Sequence, residues 1–255
     1  MTLMSYVEIS DKLFKLLKLE TTPVAIKLLK DVSEAGDKVR RPRVKLAACQ
    51  IWNIARFYGW VFAGSVEDMA CAPGAAALGF IEVPPQIASG EIAKARLSSL
   101  EVAKRTEEAV PRLKPGTWRA MVAAPLERAT FTPDVVLIYA SPAQALRLSQ
   151  GYGWRNGDKT RLSTLGEYAC AECIAQVLLE GKPFLVNPCY GERRFGLTRD
   201  YELCFSTPPT YLQDIIVGLE KTHEAGWRYP IPYFGVLAQP YDGGFPPLYR
   251  MDYKK

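Results

Sequence analysis

Histidine is almost absent from this sequence: His223 is the one such residue in 255. That argues against His-rich zinc enzymes and weakens any catalytic triad, since both place imidazole at the centre of the chemistry. Long apolar runs are missing too. The apolar stretches are broken by Gly and Pro well before the ~20 residues needed to cross a bilayer. The opening segment, MTLMSYVEISDKLFKLLKLE, mixes acid and base and lacks the uninterrupted apolar stretch of a secretion signal. The expectation is a cytoplasmic chain without a membrane partner, folding where thiols stay reduced. A large charge of one sign is also lacking. Against 32 basic side chains stand 27 acidic ones, a net charge of +5 that makes no nucleic-acid footprint. The densest basic stretch, Lys38–Lys45, holds Lys38, Arg40, Arg41, Arg43 and Lys45 and reads as a solvated loop rim. Finally, the Gly-rich segments GYGWRNG and PCYGERRFG match neither the dinucleotide fingerprint nor the phosphate loop.

What is present is an ordinary globular balance, 48% hydrophobic and 23% charged, long enough for one domain over residues 1–255 with a full core. Helical spacing of Tyr6, Val7, Ile9, Leu13, Leu16 and Leu17 predicts an opening helix, and PVAIKLL (23–29) a strand that starts after its proline. Cys49–Tyr58 reads as a helix ended by Gly59, Glu91–Glu108 as another, and Trp118–Pro125 and Asp134–Tyr139 as strands. Pro142 starts a further helix, Ser149–Gly157 is a loop, Glu167–Leu179 is a helix, Glu202–Phe205 is a strand and Pro208–Glu224 the last helix. The tail, 226–255, is rich in Pro, Tyr and Gly; it is expected to wrap the surface in extended form and could clasp a second copy in a homodimer.

Two parts of the chain echo each other. PVAIKLL leads to Cys49, a helix, Gly59, Cys71, Leu78-Gly79 and the strand-like IEVPP; PDVVLIY leads to Cys173, a helix, Gly181, Cys189, Phe195-Gly196 and LCFSTPP. This order predicts an α/β (or α+β) domain of two related halves, roughly 20–110 and 118–225. They would pack about a pseudo-two-fold axis into a mixed sheet with flanking helices.

The six cysteines carry the chemical interest. Cys49, Cys71, Cys173 and Cys189 fall at corresponding places in the halves, Cys49 and Cys173 at helix starts and Cys71 and Cys189 in Pro/Gly turns. Four converging thiolates suit an iron–sulfur cluster or tetrahedral zinc. Cysteine is also among the most buried residue types, so burial in the core competes with that reading, as does a reactive thiol. Cys170 and Cys173 have CxxC spacing, one turn apart on a shared helix face, which makes Cys170 a spare ligand; Cys204 looks like an ordinary strand side chain. Gly191 with Arg193 and Arg194 could hold a carboxylate or phosphate through backbone N–H groups and a guanidinium fork. Asn187 and Glu192 flank that turn, and Trp52, Trp60, Tyr152 and Trp154 could line an aromatic pocket.

With these residues in hand, the sequence resembles the bacterial and archaeal family known as domain of unknown function 169 (DUF169). The likeness rests on PVAIKL, Cys49 with the helix ending Ala55-Arg56-Phe57-Tyr58-Gly59, and Cys71 with Leu78-Gly79. It continues through Pro133-Asp134-Val135-Val136, the Cys173 helix, Cys189-Tyr190-Gly191-Glu192-Arg193 and ELCFSTPP. It implies a one-domain prokaryotic cytoplasmic protein and carries no activity with it.

Two functions lead, ahead of an enzyme with a lone thiol nucleophile, which needs a base that His223 is poorly placed to be. The first is a metal- or iron–sulfur-binding protein, serving electron transfer or a reductive step on a small aromatic or anionic substrate. Its ligands would be Cys49, Cys71, Cys173 and Cys189, and Arg193 would hold the substrate. The second is a non-catalytic module that binds a small anion and has structural cysteines and no metal.

Overall fold

The computed structural model describes residues 3–37 and 39–232. Lys38 and most of the tail, 233–255, lie outside the described residues, and with them most of the segment expected to wrap or clasp.

The chain opens with α1 (Tyr6–Leu17), whose Ser5 cap accepts the Glu8 N–H while Glu8 reaches back to the Ser5 N–H. Then follow β1 (Val24–Leu29), α2 (Ala48–Tyr58) and β2 (Phe62–Ser65). After these come α3 (Ala72–Ala77), α4 (Pro85–Ala88), α5 (Leu100–Glu108) and β3 (Ala120–Pro125). Next are β4 (Val135–Ala140), α6 (Pro142–Gly153), β5 (Arg161–Ser163), a π-helical turn (Ala171–Ala175) and α7 (Gln176–Glu180). The described chain closes with β6 (Phe184–Val186), α8 (Tyr190–Gly196), β7 (Leu203–Thr207) and α9 (Leu212–Glu224).

Seven strands form one mixed sheet in the order β2-β3-β1-β4-β7-β6-β5, antiparallel throughout except for the parallel pair β5 and β6. The central strands read as unbroken apolar runs because both faces are covered, so neither parity of the strand alternation meets water. From β1 and β4, Val24, Ile26, Leu28, Val135, Leu137 and Tyr139 enter one core with α2 and the π-turn. Their neighbours Ala25, Val136, Ile138 and Ala140 enter the other core, with α1, α6 and α9. The result is a three-layer α/β/α domain. On the second layer α6 and α9 cross closely, with a glycine on each side at Gly151 and Gly218.

Several expectations need correction. IEVPP is not a strand, since two successive prolines remove ladder donors, and it leads into the short α4. Glu91–Glu108 is interrupted: a single 3-10 turn at Ala93–Arg96 precedes α5, which restarts at the Ser99 cap. The expected loop at Ser149–Gly157 is helical up to Gly153. The turns at Cys71 and Cys189 are helix starts, each cysteine capping the helix that follows.

Candidate functional site

The site lies on the layer formed by α2, α3, the π-turn and α8, over the β4–β7 part of the sheet. Cys49 sits in the first turn of α2, with Gln50 Oε1 accepting the Ala47 N–H at 2.8 Å in place of an ordinary cap. Cys71 caps α3, its sulfur accepting the Gly74 N–H at 3.4 Å. Cys189 caps α8 in the same way, its sulfur accepting the Glu192 N–H at 3.4 Å. Gly74 holds the group open: a Cβ there would stand 3.4 Å from Cys71 Sγ, 3.5 Å from Cys170 Sγ and 3.3 Å from Ala48 Cβ. Cys71 and Cys170 therefore face one small space at the foot of α2.

Electrostatics tie in the other two thiols. Burial, and then the charges of Glu192, Cys189 and Cys71, push the Cys49 thiol well above its ordinary range. Burial followed by Cys71, Cys189 and Cys49 does the same to Cys170. Cys189 is pushed up by burial, with the N–H groups of Ala169, Glu192 and Gly191 opposing. Cys71 is raised by burial against the Gly74 N–H. Burial thus favours the neutral form of each of these thiols, and at Cys49 and Cys170 the neighbouring acidic groups add to it, a balance that a positive centre among them would reverse. Cys49 and Cys71 are half-buried, so one edge of the group is reachable, while Cys170 and Cys189 are buried.

Cys173, expected in this group, faces elsewhere. It bonds to the Cys204 thiol, which together with burial raises it, and its carbonyl accepts the Ser206 hydroxyl from β7. The reason is the π geometry of Ala171–Ala175. An extra residue in the turn rotates position 173 away from position 170, so the α-helical rule that residues three apart share a face fails here. All six cysteines are free. Among the described residues, no three His, Cys, Asp or Glu side chains are placed to hold a metal ion as they stand.

Beside the thiols runs a buried polar network that sequence reading largely missed. Glu192, 1% exposed, accepts on Oε1 from the Tyr139 hydroxyl, from Trp52 Nε1 at 3.2 Å, Thr198 Oγ1 at 3.2 Å and Asn53 Nδ2 at 3.4 Å. Its Oε2 is buried without a hydrogen-bond partner among the described residues. Burial raises this carboxyl and the four donors oppose the rise. Trp52 also donates to the Tyr139 hydroxyl at 2.7 Å. Arg56 lies 3.8 Å over the Tyr139 ring and pairs with Glu202, both buried. Of its members, Glu192 carried a sequence signal through its place three residues after Cys189, and Trp52 as a candidate aromatic; the bonds that join them did not.

The remaining candidates disperse. Arg193 donates to the carbonyls of Pro188, Arg199 and Glu202 and to Asn187 Oδ1, fastening the loops around α8. Arg194 is exposed, 5.6 Å from the Phe195 ring, and Gly191 lies against Cys189, where an added Cβ would stand 3.8 Å from the sulfur. Trp52 is core, Trp60 is stacked under Arg40 at 3.9 Å, and Tyr152 packs against Tyr211 on the opposite layer, so the aromatics form no common pocket. His223 stands in the last turn of α9, across the sheet from the thiols.

The fold is thus an α/β domain whose mixed sheet is covered on both faces, with free cysteines on one of the covering layers. The chain belongs to the family described as Uncharacterised ArCR, domain of unknown function 169, which matches residues 12–218. It is also similar to the uncharacterized protein MJ0308 of Methanocaldococcus jannaschii, with 28% identity over 217 residues, 84% of this chain and 93% of that one. No solved structure matches it. No helix among the described residues is long and apolar enough to cross a membrane.

Proposed function

We propose that this chain is an iron–sulfur protein whose cluster ligands are Cys49, Cys71, Cys170 and Cys189, with Cys170 taking the place expected for Cys173. The observation that carries the reading is that the Cys71 and Cys170 sulfurs face one small space at Gly74, with Cys49 and Cys189 close enough to act on the same thiols electrostatically. Backbone N–H groups already point at the sulfurs of Cys71 and Cys189, as they do where thiolate charge must be stabilised. A single zinc ion would need its sulfurs at ~2.3 Å from one point, and no described group stands so close. A cluster interposes its own iron and sulfide atoms and spreads its ligands more widely. When bound, such a cluster supplies electrons one at a time, fitting electron transfer or a reductive step on a small molecule in a reducing, cytoplasmic setting.

Glu192, Tyr139 and Trp52 are the chain's own groups next to that chemistry. They fix the layer's geometry and leave one carboxylate oxygen of Glu192 without a hydrogen-bond partner among the described residues. The binding-module alternative is favoured by Arg194, the exposed guanidinium of the Gly191 turn, which would hold an anion with the cysteines serving as core.

We read the chain further as two related halves. The strand order β2-β3-β1 is mirrored by β6-β7-β4, with β1 and β4 adjacent. In each half a helix ends on a glycine in the left-handed region, Gly59 at φ 68° and Gly181 at φ 63°. A cysteine then caps the next short helix, at Cys71 and at Cys189. On this reading β3, not IEVPP, is the counterpart of β7, so the first half reaches past residue 110 to about the end of β3.

Reduction under exclusion of oxygen tests the function. Protein purified anaerobically should bleach in the visible on adding dithionite and develop the paramagnetic resonance of a reduced cluster. A folded protein that shows neither, but binds sulfate or a carboxylate in an Arg194-dependent way, would replace the cluster reading with the binding module.

A further inference from the structure

A cavity of about 370 Å3 opens beside the π-turn, away from the residues assigned to the cluster. Its walls pair apolar surface from Pro111, Leu165 and Leu179 with the carboxylates Glu172 and Glu180. The volume falls in the range of small-molecule sites, ~300–1,000 Å3. Glu180 is already satisfied: it pairs with Arg161 and accepts from Gln176 at 3.1 Å. Glu172 is not. It is 1% exposed; its Oε1 accepts the Leu165 N–H, and its Oε2 is buried with no hydrogen-bond partner among the described residues. A carboxylate oxygen removed from water with nothing opposite it is costly: burial pushes the Glu172 carboxyl up to about 7, toward its neutral form, and a positive charge opposite it would hold it ionised.

The choice of occupant follows from the walls. Two carboxylates repel an anion. A bare metal ion lacks a ligand set, since no three acidic, Cys or His side chains are placed together among the described residues. Water would satisfy Glu172 but gain nothing from Pro111, Leu165 and Leu179. We propose that this cavity binds a small organic cation, with its ammonium or amidinium head paired to Glu172 Oε2 and a short apolar stem against Pro111, Leu165 and Leu179. The site is independent of the iron–sulfur reading: it asks nothing of Cys49, Cys71, Cys170 or Cys189.

Calorimetric titration of the full chain with n-butylamine, against n-butanol and butyrate as neutral and anionic matches, tests it. The expected result is one saturable site for butylamine and none for the other two. Glu172→Gln, which keeps an acceptor for Leu165, should weaken butylamine at least tenfold. Leu179→Trp, on the exposed rim, should weaken it by filling the cavity while leaving the carboxylate in place, and it decides the matter should the first variant fail to fold. Absence of butylamine binding, equal binding of butanol, or undiminished binding in Leu179→Trp overturns the proposal.

Discussion

Cys170 stands immediately before the π-helical turn that carries Cys173, yet the two serve different neighbours: Cys170 faces Gly74 and the thiols of Cys71, Cys189 and Cys49, whereas Cys173 bonds to Cys204 on β7. The CxxC spacing is therefore divided between a candidate ligand and a core contact. Replacing each in turn separates the roles. Cys170→Ser should lose most of the bound iron and the visible colour, and Cys173→Ser should keep both, with some loss of thermal stability. Iron analysis of the two purified variants checks this, and the opposite pattern would return Cys173 to the ligand set.

Arg56 should matter to stability more than its surface-type side chain suggests. It is buried, paired with Glu202, bonded to Thr21 Oγ1 at 2.8 Å and stacked on Tyr139. Removing one partner of a buried pair strands the other charge, at a cost of about 3–5 kcal/mol. Chemical denaturation of Arg56→Met should show a loss of that order. A change under about 1 kcal/mol would mean that the pair behaves as an exposed one.

The α6–α9 crossing tolerates no side chain at Gly218. A Cβ there would stand 2.2 Å from the Gly151 carbonyl oxygen, a backbone atom that cannot swing aside. Gly218→Ala should destabilise the fold by about 1–3 kcal/mol or more through overpacking, read as a lower melting temperature. Gly226→Ala, with open space around it but a positive φ, isolates the cost of backbone conformation alone.

Asp134 gives a pH signature unrelated to the thiols. Its Oδ2 accepts the Leu28 N–H at 2.7 Å, yet burial raises the carboxyl, with that hydrogen bond and Lys27 opposing. The folded state thus favours the protonated acid relative to the unfolded chain. The resulting stabilisation is complete below the ordinary aspartate value, about 3.9, and is lost as pH rises through the raised folded value. Asp134→Asn removes this dependence. Wild-type stability relative to the variant should fall as pH rises above about 3.9, measured by urea denaturation at several pH values; a constant difference would contradict the assignment.

Much of the frame was legible because local chemistry and global position agree. Val24–Leu29 forms β1 directly after Pro23, α2 ends on Gly59 in the left-handed conformation, and Pro142 opens α6 behind the Ser141 cap. The β-branched run at 135–140 signalled a strand, which the structure buries on both faces. What could not be read were features set by packing across the chain. The π-turn that parts Cys170 from Cys173 leaves no mark in helical spacing. The Trp52–Tyr139–Glu192 network joins residues up to 140 positions apart. Arg193 resembled an anion fork because nothing local reveals that four neighbouring carbonyl-type acceptors surround it.

Iron and acid-labile sulfide content, with the visible spectrum, measured on protein purified without oxygen or chelators, tests the central claim most directly. The account predicts about four iron and four sulfide per chain and a broad visible absorption. Colourless, folded protein without iron, and unable to take up iron and sulfide on reconstitution, would contradict it and leave Cys49, Cys71, Cys170 and Cys189 as core residues.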